Sequence, residues 1–146
     1  MCVICERLDM WKNNSNPYFI HEFEHSIFVV GDHQFFEGYC LLLLKDHQRD
    51  ITDLDLKVQG EFFKEVMIAG KVIQKMFKPF RMNYSTLGNV VEHTHFHVFP
   101  RYEEELALAT HKDPWFNCEE FGTKKLTESD AIDLANKIRK ELQDFL

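Results

Sequence analysis

No apolar run in the sequence approaches the roughly 18 residues that a membrane-spanning helix needs. Residues 1–6 also lack the basic segment and the long apolar stretch of a signal peptide. No internal repeat or linker divides the chain, and its apolar fraction of 45% is typical of a globular protein with one hydrophobic core. We therefore expect a soluble, cytoplasmic protein that folds as a single domain over residues 1–146.

Cysteine and positive charge are also scarce. The four cysteines are too few and too scattered for a disulfide scaffold, which favours a reducing compartment. Lys and Arg number 17 against 24 Asp and Glu, giving a net charge of −7. A protein that binds nucleic acid broadly needs a basic surface, so this balance argues against nucleic acid as a partner. A single nucleotide held by local donors is still compatible with it.

Three histidines recur at every second position, at His93, His95 and His97. In a β-strand such residues point to one face of the sheet, so the three imidazoles are expected to face one site. One hypothesis is metal ligation, because His-x-His on a strand is a common half of a zinc or iron site. The other is nucleophilic catalysis, with the middle imidazole attacking an electrophile and its neighbours binding an anion. Incidental histidines on a solvated strand are the weaker explanation for three in register.

The segment before these histidines is polar and contains glycine. Residues 83–92 (NYSTLGNVVE) offer backbone N–H groups and side-chain amides, which suit a phosphate. Together with this loop, residues 93–99 resemble the histidine-triad family of nucleotide hydrolases and transferases, whose motif is His-φ-His-φ-His-φ-φ. Residues 83–101, with LGNVV before the triad and FPRY after it, resemble a bacterial branch described as diadenosine tetraphosphate hydrolase-like.

The resemblance implies a role for each residue that matches the family pattern. His95 is the implied nucleophile toward the α-phosphorus of a nucleotide, and His97 donates to a phosphate oxygen. No cofactor is needed for this chemistry. The implied substrate-binding residues are Asp32 for the ribose hydroxyls, the backbone at Gly88, the amides of Asn83 and Asn89, and His97 itself. Asn89 stands where many relatives carry Gln and is one methylene shorter.

A Cys-x-x-C pair at Cys2 and Cys5 is half of a zinc site, and without a second half the pair alone is a weak signal. Two ordinary thiols near the chain terminus explain it equally well. The resemblance implies that His47 and His93 complete a structural zinc site with this pair. In that case His93 is a structural ligand and not a catalyst.

The remaining pattern predicts an α+β protein. Strands are expected over residues 18–24, 26–31, 38–45, 80–84 and 91–99, with a long helix from about Thr52 to Pro79 and a closing helix capped by Thr127. This order fits an antiparallel sheet of about five strands with helices on one side. The resemblance implies the histidine-triad fold and a homodimer whose two sheets join edge to edge. Trp115 lies in a predicted loop and is expected to pack on its own subunit.

The function predicted from the sequence is hydrolysis of a dinucleoside polyphosphate, such as diadenosine tetraphosphate, through a nucleotidyl-histidine intermediate. Hydrolysis of a nucleoside phosphoramidate or adenylyl-lysine uses the same residues and stays open. A non-catalytic nucleotide-binding regulator is the alternative outside enzymes. A metal-dependent oxygenase is disfavoured because it needs a carboxylate ligand at suitable spacing, whereas residues 103–105 directly follow the histidine strand.

Overall fold

The computed structural model describes residues 1–105 and 111–146. In chain order its helices and strands are α1 (Val3–Lys12), β1 (Phe19–Glu22), β2 (Ser26–Val30), β3 (Cys40–Leu44), α2 (Leu56–Phe77), β4 (Arg81–Ser85), β5 (His95–Arg101) and α3 (Glu128–Leu142). Short 3₁₀ turns precede α2 and follow α3, and a longer 3₁₀ segment covers Pro114–Lys124. This confirms the predicted α+β class with five strands, a long helix and a C-terminal helix.

The five strands form one antiparallel sheet in the order β1-β2-β3-β5-β4. The apolar strand β3 lies at its centre, because a run of leucines is stable only where both faces of a strand are covered. Its register places Leu43 opposite His95 and Leu41 opposite His97. Residues paired across two strands share a face of the sheet, so these pairs mark the face that carries the histidines.

Helices α2 and α3 cover the other face of the sheet. Phe62, Val66 and Ile73 recur along one stripe of α2 and are fully buried, as the helical spacing predicts. Lys78 ends the helix in a left-handed conformation directly before Pro79. The helix begins at Leu56, later than predicted, because the preceding Ile51–Asp53 forms a separate 3₁₀ turn.

Helix α1 was not predicted from the sequence, and it corrects the expectation that all helices lie on one side. Its buried residues Ile4 and Leu8 pack with Ile27, Val29 and Leu43. These strand residues alternate with those that face α2, so α1 covers the histidine face. Only two buried positions mark this ten-residue helix, too few for a periodic signal. None of the helices within residues 1–105 and 111–146 has the length and apolarity to span a membrane.

Candidate active site and metal centre

His95 and His97 form a close pair on the face covered by α1. Strand β5 begins at His95, so the two side chains are i and i+2 neighbours and share a face. Their Nε2 atoms lie 3.1 Å apart. His93 precedes the strand, and its ring is directed to a different site, so the three imidazoles do not share one site as the strict alternation predicts.

Hydrogen bonds determine which nitrogen of each ring carries the proton. The Nδ1 of His95 lies 2.6 Å from the backbone oxygen of His93. A carbonyl oxygen can only accept, so Nδ1 of His95 is protonated and its Nε2 carries the free electron pair. The 3.1 Å contact between the two Nε2 atoms then requires His97 to donate. The nitrogen of His95 that carries the free electron pair is therefore the one that faces His97.

Burial keeps both rings neutral. Burial, with repulsion from His95 and His33, lowers the pKa of His97 to about 3. Burial also lowers the pKa of His95, against a smaller opposing effect of its hydrogen bond to the His93 carbonyl. A neutral imidazole carries the free electron pair that nucleophilic catalysis requires, and both rings are in this form near neutral pH.

Tyr39 completes this hydrogen-bond chain and was not identified from the sequence. Its hydroxyl lies 2.7 Å from Nδ1 of His97, and the side chain is buried at 4% exposure. Tyr39 immediately precedes β3, where the sequence shows only the start of an apolar strand. No local pattern marks it, because its partner is 58 positions away in the chain.

A cavity of about 220 Å³ lies beside the histidine pair. Its wall is mostly apolar and includes residues of α1, β2 and β3 together with Asp32, His95 and His97. The Asp32 carboxylate has no hydrogen-bond partner within the described parts of the chain, so it is free to accept from a ligand. The structure thus brings three sequence-predicted residues to the rim of one cavity.

The glycine loop approaches His95 on another side. Gly88 has a φ of +76°, a conformation that favours glycine, and with His93 and His95 it lines a small cavity of about 70 Å³. Asn89 is exposed, and its side chain makes no hydrogen bond within residues 1–105 and 111–146. Gly88 therefore lines this cavity beside the histidines, and Asn89 does not.

A wider groove of about 860 Å³ lies over the edge strand β4. Ser85 pairs with His97 across the strands and Asn83 pairs with Phe99, so both belong to the histidine face. The Asn83 side-chain oxygen accepts a 2.8 Å hydrogen bond from Nη1 of Arg101. Asn83 therefore lines this groove, and its amide oxygen is already engaged.

The groove is rich in positive charge although the chain as a whole is acidic. Its lining includes the basic side chains Arg81, Arg101 and Lys112, and Asp113 is its one acidic residue among those described. The carboxylate of Asp113 accepts from the backbone N–H of Trp115. Arg101 is held by Glu105 at 2.9 Å, which leaves Arg81 and Lys112 as the exposed cations of the groove.

Trp115 forms the boundary between this groove and the histidine pair. Its ring meets that of His97 edge to face, with centroids 4.9 Å apart, and it lines the groove on its other side. The tryptophan packs on its own chain, within the 3₁₀ segment rather than in the predicted loop. Its indole N–H is buried without a hydrogen-bond partner.

The four predicted metal ligands lie together. Cys2, Cys5, His47 and His93 place one ligand atom each within 4.8 Å of one another. The Sγ atoms of Cys2 and Cys5 are each 3.5 Å from Nδ1 of His93, and Sγ of Cys5 is 3.3 Å from Nδ1 of His47. A tetrahedral zinc with Zn–S of about 2.3 Å and Zn–N of about 2.0 Å separates its ligands by roughly 3.3–3.8 Å. The residues fit that ion.

The backbone orients both halves of this cluster. Nε2 of His93 lies 2.8 Å from the Leu44 carbonyl, so it is the protonated nitrogen and Nδ1 faces the thiols with a free electron pair. Cys2 caps α1 and Cys5 lies in its first turn, which places both sulfur atoms on one side. The Cys-x-x-C pair is therefore part of an ordered helix start and not a frayed terminus.

The fold and the site together define an α+β protein with a neutral histidine pair in the wall of a mostly apolar cavity. The HIT domain pattern matches residues 12–104, more than half of the chain, and the protein belongs to the HIT domain family. Proteins of this family are generally histidine-triad proteins that bind or hydrolyse nucleotides. The family, though not a branch within it, is thus confirmed.

The relatives found by sequence are HIT-like proteins. An uncharacterised HIT-like protein of Mycoplasma genitalium is 29% identical over 110 residues, covering 70% of this chain and 74% of the relative. The protein named hit of Bacillus subtilis is 25% identical over 88 residues, covering 57% of this chain and 61% of its own length.

Solved structures of the family share the fold. A hypothetical histidine triad nucleotide-binding protein of Sulfolobus tokodaii superimposes with a TM-score of 0.73 at 18% identity, covering 96% of this chain and 93% of that one. A Zn-bound histidine triad family protein of Mycobacterium smegmatis gives 0.68 at 17% identity, covering 98% and 94%. The predicted histidine-triad fold is confirmed.

Proposed function

We propose that the protein is a nucleotide hydrolase that acts at the α-phosphate of a dinucleoside polyphosphate through a nucleotidyl-histidine intermediate. The observation that carries the proposal is the neutral His95, which carries an unprotonated Nε2 and lines the apolar cavity. The apolar cavity suits a nucleoside, and Asp32 at its rim suits the ribose hydroxyls.

In the first step the electron pair on Nε2 of His95 attacks the α-phosphorus, and the bond from phosphorus to the bridging oxygen breaks. The leaving polyphosphate departs with that electron pair. The His95 ring gains positive charge, which strengthens its Nδ1–H bond to the His93 carbonyl. The Nε2–H of His97, freed from His95, donates to a non-bridging phosphate oxygen, and backbone N–H groups near Gly88 balance further charge.

In the second step water attacks the same phosphorus, and the P–N bond to His95 breaks. The products are a nucleoside monophosphate and free His95, with the proton from water released to solvent. Imidazole is a competent nucleophile and also a good leaving group, so two lower barriers replace one high barrier.

The basic groove over β4 favours a polyphosphate leaving group. It begins at Ser85, directly opposite His97, and continues past Asn83 to the cations Arg81 and Lys112. A chain of phosphates leaving from His95 would be attracted by these cations. An adenosine phosphoramidate has a small leaving group that does not extend into the groove, so that substrate is our second candidate.

Intact-protein mass spectrometry after a brief acid-free quench tests the covalent step with diadenosine tetraphosphate and, separately, adenosine phosphoramidate. We expect an adenylyl adduct on His95 and free AMP in the same samples. His95→Ala should abolish the adduct and lower kcat/KM by at least about a thousandfold, and His97→Ala should lower it less. Turnover by His95→Ala at the parental rate would refute the nucleophile assignment. Binding without any product or adduct would favour the regulator.

The leaving group is tested by Arg81→Gln, with Lys137→Gln on the exposed face of α3 as a matched control. We expect the first variant to raise KM for diadenosine tetraphosphate several-fold at low salt and to leave the phosphoramidate unaffected. The control should change neither. Equal effects of the two variants would mean that the distal phosphates do not use the groove.

We also propose that Cys2, Cys5, His47 and His93 hold a structural zinc ion. Support comes from the four ligand atoms within 4.8 Å and from the Zn-bound relative of M. smegmatis. Metal analysis of protein purified without a His tag should give about one zinc per chain. Cys5→Ser should lose it and melt at a lower temperature, whereas the control Cys118→Ser should retain it. Less than a tenth of an equivalent in the parent would exclude the site.

The predicted homodimer remains a proposal, with β4 as the edge that would join a second sheet. This strand ends the sheet, so one side of its backbone has no strand partner among the described residues. Tyr84 on this strand is 38% exposed, and Phe80 just before it is 45% exposed. Light scattering should give twice the chain mass, and a monomer at micromolar concentration would contradict the proposal.

A further inference from the structure

Tyr39 is the one group of the hydrogen-bond chain for which the proposed mechanism has no role. We propose that Tyr39 is a positioning residue whose hydroxyl fixes His97 in the form that donates from Nε2 to the substrate phosphate. The inference rests on the proposed function, because it concerns how His97 meets the α-phosphate.

The hydrogen bonds that link Tyr39, His97, His95 and the His93 carbonyl all run in one direction. The His93 carbonyl makes His95 a donor at Nδ1, which leaves an electron pair at Nε2 and requires His97 to donate there. A neutral imidazole carries one proton, so Nδ1 of His97 must accept. Its partner at 2.7 Å is the Tyr39 hydroxyl, which must therefore donate. Burial raises the pKa of Tyr39 well above its usual value, so this proton is retained.

Removing the Tyr39 hydroxyl removes the donor that satisfies Nδ1 of His97 and so favours the form protonated at Nε2. Nδ1 of His97 would then be a buried acceptor without a partner, which is unfavourable. If the ring moved its proton to Nδ1 instead, its Nε2 electron pair would face that of His95 at about the same separation. Both outcomes reduce the population of the donor form that the phosphate oxygen needs.

The surroundings hold the Tyr39 ring in one orientation. It stacks on Phe99 with centroids 4.5 Å apart and an interplanar angle of 4°, and on His33 at 4.7 Å. At Gly31 an added Cβ would overlap the tyrosine ring, so only glycine leaves room for it there. A residue that served only to fill this space would not need the hydroxyl, because burying an unused polar group is unfavourable.

The test compares Tyr39→Phe with the control Tyr102→Phe. The first variant keeps the stacked ring and removes only the hydroxyl. The control variant loses the same group, but in the parent the Tyr102 hydroxyl donates to the Glu37 carbonyl and does not contact the histidine pair. We expect Tyr39→Phe to lower kcat about ten- to a hundredfold with little change in KM, for both substrates, since the α-phosphate is common to them. Tyr102→Phe should match the parent.

A second readout does not depend on activity. Nitrogen-15 NMR of the histidine rings should show His97 protonated at Nε2 in the parent and in Tyr102→Phe. In Tyr39→Phe we expect a substantial fraction of the molecules to carry the His97 proton on Nδ1 instead. Gly31→Ala, which displaces the tyrosine ring, should shift the same signals in the same direction.

Two results would overturn the inference. One is unchanged ring signals in Tyr39→Phe, and the other is a parental kcat in that variant while the parent turns over substrate. If the parent turned over neither substrate, the proposed function would fail, and the NMR comparison would still decide the role of Tyr39. A urea titration of each variant checks that it is folded.

Discussion

His97 should make the folded state sensitive to mild acid. Its pKa is about 3 in the folded protein and 6.5 in a free side chain. Between these values the unfolded chain binds a proton that the folded chain does not. The folded state is therefore favoured fully above pH 6.5, and this part of its stability is lost as the pH falls toward 3.

The size follows from the shift of 6.5 − 3 = 3.5 pKa units. At about 1.4 kcal/mol per pKa unit, the full loss is about 5 kcal/mol and is reached below pH 3. Between pH 7.5 and pH 5.0 the loss from His97 alone is about 2 kcal/mol. A typical domain is stable by about 5–15 kcal/mol, so this loss is a substantial share of the total.

Urea unfolding of the parent and of His97→Gln at both pH values isolates this effect. Buried histidines that do not contact His97 contribute equally to both proteins, and the packing change in the variant cancels when each protein is compared with itself. We expect the parent to lose about 2 kcal/mol more than His97→Gln between pH 7.5 and 5.0. Equal losses in the two proteins would refute the assignment of a buried, neutral His97.

Two further predictions concern stability. Glu65 is buried and accepts hydrogen bonds from the backbone N–H of His25 at 2.9 Å and the Ser26 hydroxyl at 2.6 Å. Glu65→Leu leaves both donors unpaired and should cost about 2–4 kcal/mol in urea unfolding; a loss under about 0.5 kcal/mol would contradict this. Thr127 caps α3 through the N–H of Asp130, so Thr127→Ala should cost about 1 kcal/mol. Thr127→Ser should restore most of that loss.

The sequence predicted elements that repeat a local pattern. The strand β3 and the helix α2 follow from a leucine run and from an apolar stripe, and both lie where they were expected. Helix α1 could not be predicted because its two buried positions form no stripe, and its stability comes from packing on the sheet. The local sequence pattern therefore predicted the sheet and the helices on its far face, but not helix α1, which covers the histidine pair.

The candidate site divides in the same way. His95 and His97 were predicted because they are close in sequence and share a strand. Tyr39 and Arg81 were missed because they reach the site only through the pairing of strands that are separate in the sequence. The strict alternation of histidines also misplaced His93, since β5 begins two residues later and its ring turns toward Cys2 and Cys5.

His93 presents two chemically separate faces to its surroundings. Its ring faces the thiols, while its main-chain oxygen holds Nδ1 of His95. Because every amino acid has that oxygen, a substitution at position 93 deletes the ring without deleting the acceptor. If such a variant held His95 less well, the cause would be a shift of the peptide group of residue 93. The ring of His93, held by the thiols, would then be what keeps that carbonyl in place for His95.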